Sequence, residues 1–319
     1  MILILSFKDF EQGTNPVIDW LLCKKANFTK ITIDDLKDSA FQYCLEVNSN
    51  KIKLNNQVID LSEIKVVWLR RWVSKNVFAV EAENRNDVQA MKESINEIKR
   101  LSDYLFDILS DKKWLLTNEA AHLSKLKILN QASKSGLHTP LSIVVNNKSD
   151  LLEFNQQCPT GLICKPIEHS DYFVNQEATY SAYTKDLKRS DLEGLPDNFF
   201  PTFFQEKVDR KYEIRVFYLD GKFFSSVFLN SDNHHVDIKL DINGKWVPYQ
   251  LPQEVEAGIT RFMKSITMNT GSIDIIRNNA GEYVFIEVNP AGQYLHTSHL
   301  CGYEVERHIA DWLIENDYD

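Results

Sequence analysis

The sequence predicts an α/β chain of more than one domain, and three observations carry that prediction. Short apolar runs of strand length alternate with stretches of helical period. Within one of these stretches, Glu81 to Leu109, the residues Val88, Met91, Ile95, Ile98, Leu101, Leu105 and Ile108 fall three or four apart. That spacing puts one apolar stripe on a long helix, to serve as core or as a subunit seam. The length, 319 residues, exceeds the comfortable size of a single core.

Taken in order, Ile2 to Phe7 reads as a buried first strand, Pro16 to Ala26 as a helix and Thr29 to Ile33 as a second strand. Phe41 to Val47 and Lys51 to Leu54 are short strands followed by a polar Asn55-Asn56 turn, and Ile64 to Leu69 is β-rich. After the long helix, Trp114 to Thr117 is expected to start a new unit. Leu123 to Ser135 is a helix stopped by Gly136, with Pro140 beyond it. Leu141 to Val145 and Leu162 to Lys165 are strands around a helical stretch that begins near Ser149. The polar run Asp186 to Asn198, with Gly194 and Pro196, is expected to be a linker. Phe203 to Val208 opens the last third. Ile214 to Leu219 and Lys222 to Leu229 form a hairpin at Asp220-Gly221, residues that tolerate positive φ. Ser272 to Ile276 and Tyr283 to Val288 flank a turn over Asn278 to Gly281.

Composition excludes several classes. Hydrophobic residues at 43% and charged residues at 25% are ordinary globular values, so a soluble protein is expected. The 36 basic and 45 acidic side chains give a formal charge of -9, which argues against a nucleic-acid footprint of clustered Lys and Arg. The start, Met1 to Leu5, lacks a basic n-region and is broken by Lys8, Asp9 and Glu11, so neither a signal peptide nor a membrane span is expected. Five cysteines without a CxxC pair fit reduced packing thiols in a cytoplasm.

The chemistry is expected at the end of the last hairpin. Glu287 and Asn289 are two apart and share one face of a strand, and the Asn278 to Gly281 turn brings Asp274 beside them. Two carboxylates and an amide among apolar residues make a hard-oxygen set of the kind magnesium takes when it shares its shell with nucleotide phosphates. Lys165, at the end of the apolar run Leu162-Ile163-Cys164, and Lys125, early in its helix, are candidates to meet phosphate. Gln205-Glu206-Lys207-Val208 is a strand edge able to read an adenine through backbone groups. Glu213 and Arg215 follow, the latter a planar donor for oxyanions.

These residues in this order resemble the ATP-grasp superfamily over roughly Asn118 to Gly292, with the first hundred residues similar to its Rossmann-like preATP-grasp domain. The resemblance implies an N-terminal domain 1–118, a central lobe 119–204 and a C-terminal lobe 205–319, with ATP between the lobes. It implies that Lys125, Lys165 and Arg215 bind phosphate, that Glu206 to Val208 with Gln205 form the adenine hinge, and that Glu213 binds ribose. It also implies that Asp274, Glu287 and Asn289 hold Mg2+. A narrower resemblance rests on Val66-Val67-Trp68-Leu69-Arg70-Arg71, Phe203-Phe204-Gln205-Glu206, Tyr212-Glu213-Ile214-Arg215-Val216 and Glu287-Val288-Asn289-Pro290-Ala291-Gly292-Gln293. These look like the ATP-grasp ligases that make graspetides, the microviridin-type macrocycles of ribosomal precursor peptides. That resemblance implies activation of Asp or Glu side chains as acyl phosphates and ester or amide closure onto Thr, Ser or Lys. Its implied partner is a peptide with leader and core, and its implied state a cytoplasmic homodimer without nucleic acid or membrane. The stretch Pro166 to Tyr172 departs from the superfamily in lacking a glycine-rich phosphate lid.

Two other readings stay open: an amino-acid or glutamate ligase that forms ordinary amides, and an ATP-binding regulator without turnover. His296 and His299 lack the companions of a zinc site, and His234-His235 before Asp237 and Lys239 is a loop or a pocket lining. Arg70 and Arg71 are expected to face opposite sides of a regular strand, so that at most one reaches an acidic peptide or phosphate, with salt bridges to acids of the chain as the other reading.

Overall fold

The computed structural model describes residues 1–8, 11–36, 42–72, 85–167, 173–174, 179–180, 184–229 and 244–318. The stretches around His234, Asp237 and Lys239, and 168–172 of the segment after Lys165, lie outside them, as do 81–84 of the expected long helix. Contacts divide the chain into two compact units. The first is Met1–Ala121 with Gln293–Ser298 and Glu304–Asp319, and the second is His122–Gly292 with His299–Tyr303.

The first unit is built on a parallel sheet of β1 (Ile2–Ser6), β2 (Phe28–Thr32), β6 (Val66–Leu69) and β7 (Lys113–Leu115), in the order β2-β1-β6-β7. All five residues of β1 and all four of β6 are buried, as a parallel sheet covered on its faces requires. The helices Thr14–Cys23 and Val305–Tyr318 pack on one another, and the second also packs on β1 and β6. An antiparallel meander of β3 (Tyr43–Glu46), β4 (Lys51–Leu54) and β5 (Gln57–Asp60) is added. Asn55, at φ 51°, makes the expected turn, and β5 follows it without a strand-length apolar signal in the sequence, only Ile59 of its residues being buried. The helix Arg85–Ile108 sends Leu105 into the core beside Leu109, Val67 and Trp72, so the end of its stripe is core. Trp114 and Leu115 do not start a new unit. They are buried in β7 and complete the first sheet, where the three residues Lys113 to Leu115 are enough to pair with β6.

The second unit has two larger antiparallel sheets. One, in the order β12-β9-β13-β8, comprises β8 (Ser142–Asn147), β9 (Leu162–Cys164), β12 (Lys185–Leu187) and β13 (Asn198–Glu206). The small pair β10 (Phe173–Val174) and β11 (Thr179–Tyr180) stands apart from it. Val145, Leu151, Phe154, Leu162, Leu192 and Phe204 form its core. The expected linker at Asp186 to Asn198 is instead β12, a helix over Arg189–Glu193 and the start of β13. The polar segment is ordered because its few apolar residues, Leu187 and Leu192, enter that core and Asp191 pairs with Lys185. The other sheet, in the order β16-β15-β14-β17-β18, comprises β14 (Arg210–Leu219), β15 (Lys222–Leu229), β16 (Lys245–Pro248), β17 (Thr270–Asn278) and β18 (Tyr283–Asn289). The Asp220-Gly221 turn has φ values of 44° and 90°, as a two-residue hairpin requires. The helix Gln253–Ser265 covers one face, with Phe262 edge-on to Phe285 at 5.0 Å. Among the described residues no helix is long and apolar enough to cross a membrane.

Candidate functional site

Lys125, Lys165, Arg215, Asp274, Glu287 and Asn289 come together within the second unit. Asp274 on β17 pairs in register with Arg215 on β14 and with Glu287 on β18. A β-bulge makes this possible. Asp274 pairs with Glu287 but the next residue, Ile275, pairs with Phe285, so Ile286 is the extra residue. In a regular strand Glu287 would share the face of Phe285, which packs on the covering helix. The bulge re-aims the carboxylate to the side of Asp274 and Arg215.

The polar contacts are specific. Arg215 Nη1 donates to both oxygens of Asp274, at 2.9 and 3.2 Å. Asn289 Nδ2 donates to Glu287 Oε1 at 3.2 Å, an orientation that leaves the amide oxygen of Asn289 as the atom able to ligate a cation. Lys125 Nζ lies 3.7 Å from Glu287 Oε2. Lys125 is the first residue of the helix Lys125–Lys134, which is capped by the Ser124 hydroxyl accepting from the Lys127 N–H. Just beyond β9, Lys165 is buried, with its ammonium 5.8 Å from the Phe203 ring centre. Burial pushes its pKa down to about 8; Glu287 and Asp274 oppose the shift and Lys125 adds to it. Lys125, Lys165 and Glu287 line one cleft with Ile128, Leu129, Ile286 and Val288. These four apolar walls carried no signal in the sequence beyond ordinary core periodicity.

Gln205 is buried on β13, and its Nε2 donates to the Ser142 hydroxyl at 2.9 Å. Gln205 pairs with Ile163, two residues before Lys165, so both side chains lie on one face of the central sheet. The N–H groups of Glu206 and Lys207 donate to Leu141 O and Gly161 O, at 2.8 and 2.9 Å. The Lys207 ammonium donates to Asp186 at 2.6 Å. The strand end is thus braced from two sides, and half-buried Val208 follows it. Glu213 takes a 3.1 Å ion pair from Arg210 and lies two residues before Arg215, on the same face of β14.

The set suits a hard divalent cation. Two carboxylates and an amide oxygen are an incomplete shell of the kind Mg2+ takes when phosphate and water supply the rest. Among the described residues no group of three or more His, Cys, Asp or Glu is placed to hold a metal on its own.

Arg70 and Arg71 belong elsewhere. Both turn to one buried carboxylate, Glu11, with Arg70 Nε 3.0 Å from Oε1 and Arg71 Nε 3.3 Å from Oε2. The expected opposite facing fails because β6 ends at Leu69, so neither arginine is in the regular strand. Glu11 Oε1 also accepts from the Gly13 N–H, and the Arg70 guanidinium lies 5.3 Å from the Tyr294 ring centre.

No family model matches the chain, and no curated protein matches it. Solved structures do. The macrocyclase MdnC of Microcystis aeruginosa MRC, bound with the precursor peptide MdnA, is 23% identical with a TM-score of 0.81, covering 98% of this chain and 99% of that one. A RiPP-associated ATP-grasp ligase of Chryseobacterium gregarium, in complex with ADP and a leader and core peptide, is 20% identical with a TM-score of 0.82, covering 98% and 96%. The ATP-grasp ligase PsnB, complexed with a phosphomimetic variant of a minimal precursor, Mg and ADP, is 16% identical with a TM-score of 0.78, covering 98% of each chain. At these identities the likeness is one of fold, and the chain has the ATP-grasp fold.

Proposed function

We propose that this protein is an ATP-dependent ligase that activates Asp or Glu side chains of a ribosomal precursor peptide and closes them into macrocycles. The observation that carries the reading is the bulged pairing of Asp274 with Glu287, which sets two carboxylates and the Asn289 amide against Arg215, Lys125 and Lys165. Support also comes from the whole-length likeness to ligases solved with precursor peptides, ADP and Mg.

In this reading ATP lies between the lobes 119–204 and 205–319, its adenine on the backbone at Glu206 to Val208 beside Gln205, and its ribose near Glu213. Lys125, Lys165 and Arg215 hold the phosphates in line with a substrate carboxylate, and most of the rate comes from orientation and charge stabilisation. Asp274, Glu287 and Asn289 would hold Mg2+, which supplies charge neutralisation on the transferring phosphoryl group. The carboxylate oxygen attacks the γ-phosphorus and ADP leaves. A peptide hydroxyl or amine then attacks the acyl phosphate, losing its proton and expelling inorganic phosphate. A protein nucleophile is not needed. Remote leader contacts hold the flexible core near the activated carboxylate.

We assign the closures as esters of the microviridin type, formed in a cytoplasmic homodimer. Mild alkali followed by fragmentation separates esters, which open, from amides, which persist. Light scattering reads the oligomer. A peptide that gained a free amino acid would instead favour an amino-acid or glutamate ligase, and nucleotide binding without peptide-stimulated ADP release would favour a regulator.

A further inference from the structure

We infer that Arg215 and Lys125 serve as internal counter-ions that hold Asp274 and Glu287 against a metal ion until nucleotide phosphates draw them away, so that metal and nucleotide enter as a coupled pair. The inference rests on the nucleotide and metal reading given above.

Three observations lead to it. Arg215 reaches both oxygens of Asp274 with one nitrogen, the position a chelated cation would take, and register pairing on adjacent strands holds the two together. Both oxygens of Glu287 are also engaged, Oε2 by Lys125 at 3.7 Å and Oε1 by the Asn289 amide at 3.2 Å. Finally, the named groups are two carboxylates, Asp274 and Glu287, against three cations, Lys125, Lys165 and Arg215, a formal balance of one positive charge. A bare dication must displace the guanidinium nitrogen that donates to both Asp274 oxygens and approach against the charge of Lys125, Lys165 and Arg215. A nucleoside diphosphate or triphosphate changes both terms. Its oxygens compete for the guanidinium and the ammonium groups, and its charge turns the local balance negative. Coupling of this kind is reciprocal, so the metal raises nucleotide affinity by the same factor.

The test is binding of Mn2+ alone, read from the electron paramagnetic resonance of the free ion, with and without ADP. Wild type should take up Mn2+ weakly without ADP and much more tightly with it. Arg215→Gln should bind Mn2+ alone about tenfold more tightly, the order expected for losing a competing cation at a partly exposed site. Lys125→Gln, at the longer distance, should gain about threefold, and Arg189→Gln, in a surface pair with Glu193, should gain nothing. An arginine that merely grips phosphate predicts weaker ADP binding and no gain for Mn2+ alone. That result, in folded Arg215→Gln with Mn2+ and ADP still bound by wild type, overturns the inference and leaves the functional reading standing. If Arg215→Gln does not fold, Lys125→Gln decides by the same criterion. Failure of wild type to bind ADP with Mn2+ overturns both.

Discussion

Two clusters in this molecule set arginine against carboxylate, and they differ in what surrounds them. In the first unit, Glu11 and Arg70 are 2% and 5% exposed at the side chain, and the same carboxylate also holds Arg71 and the Gly13 N–H. In the second, Arg215 and Asp274 are 23% and 16% exposed, and neighbouring Lys125, Lys165 and Glu287 line a cleft. The closed cluster ties the turn after β1 to the end of β6 and resists substitution because a buried charge left alone is costly. The second is more exposed, and its side chains can exchange partners for a ligand. Residue type is the same in both, so burial separates architecture from chemistry.

The sharpest way to break the comparison is Glu11→Ala. It leaves two guanidinium groups without their buried acid and should cost about 3 kcal/mol or more of stability, read as a lowered denaturant midpoint. A change below about 1 kcal/mol would make the closed cluster no more structural than the second. Glu287→Gln is its counterpart. It should leave the midpoint near wild type while turnover falls about a hundredfold or more, since the carboxylate acts on charge in the reaction. Near wild-type activity with an unchanged magnesium requirement would remove Glu287 from the site.

Lys165 offers a smaller, pH-dependent effect. Its pKa in the folded chain is down to about 8 because the ammonium is buried, so the free protein loses this charge as pH rises through that value. An adjacent phosphate favours the charged form, so above about pH 8 nucleotide binding should take up a proton and weaken with further rise in pH. The sign for folding is opposite. Between the depressed value and the ordinary lysine pKa near 10.5, the unfolded chain binds more protons and stability from this group rises with pH. Calorimetry in two buffers of different ionisation enthalpy reads the proton uptake, and Lys165→Ala should abolish it and weaken ATP binding. If Lys148→Ala, far from the phosphates in this account, weakens ATP turnover as much, Lys165 is misassigned. Smallest of all, Arg189→Gln breaks a surface pair and should shift neither midpoint nor turnover measurably.

The clusters also explain what the sequence disclosed. Period-two spacing placed Glu287 and Asn289 together because both lie beyond the bulge, where the strand is regular again. It said nothing of Ile286, because the extra residue of a bulge leaves no mark in the apolar run Tyr283 to Val288. The buried strands β1 and β6 and the Asp220-Gly221 hairpin were legible from apolar runs and turn chemistry. The pairing of Arg70 and Arg71 with Glu11 was not, because the partner lies some sixty residues away, the separation from Arg70 being 59. The order of the segment Asp186 to Asn198 is hidden in the same way, since Leu187 and Leu192 pack in one core with Val145 and Leu151, which are distant in the chain.

Mass spectrometry of a candidate precursor peptide tests most directly the proposed ATP-driven condensation of peptide side chains at the Asp274–Glu287 cluster. Incubated with protein, ATP and Mg2+, the peptide should lose one water per ring, with one ADP and one phosphate released per bond, and Glu287→Gln should do neither at a comparable rate. A peptide that keeps its mass while ADP accumulates, or that gains an amino acid, would contradict the account.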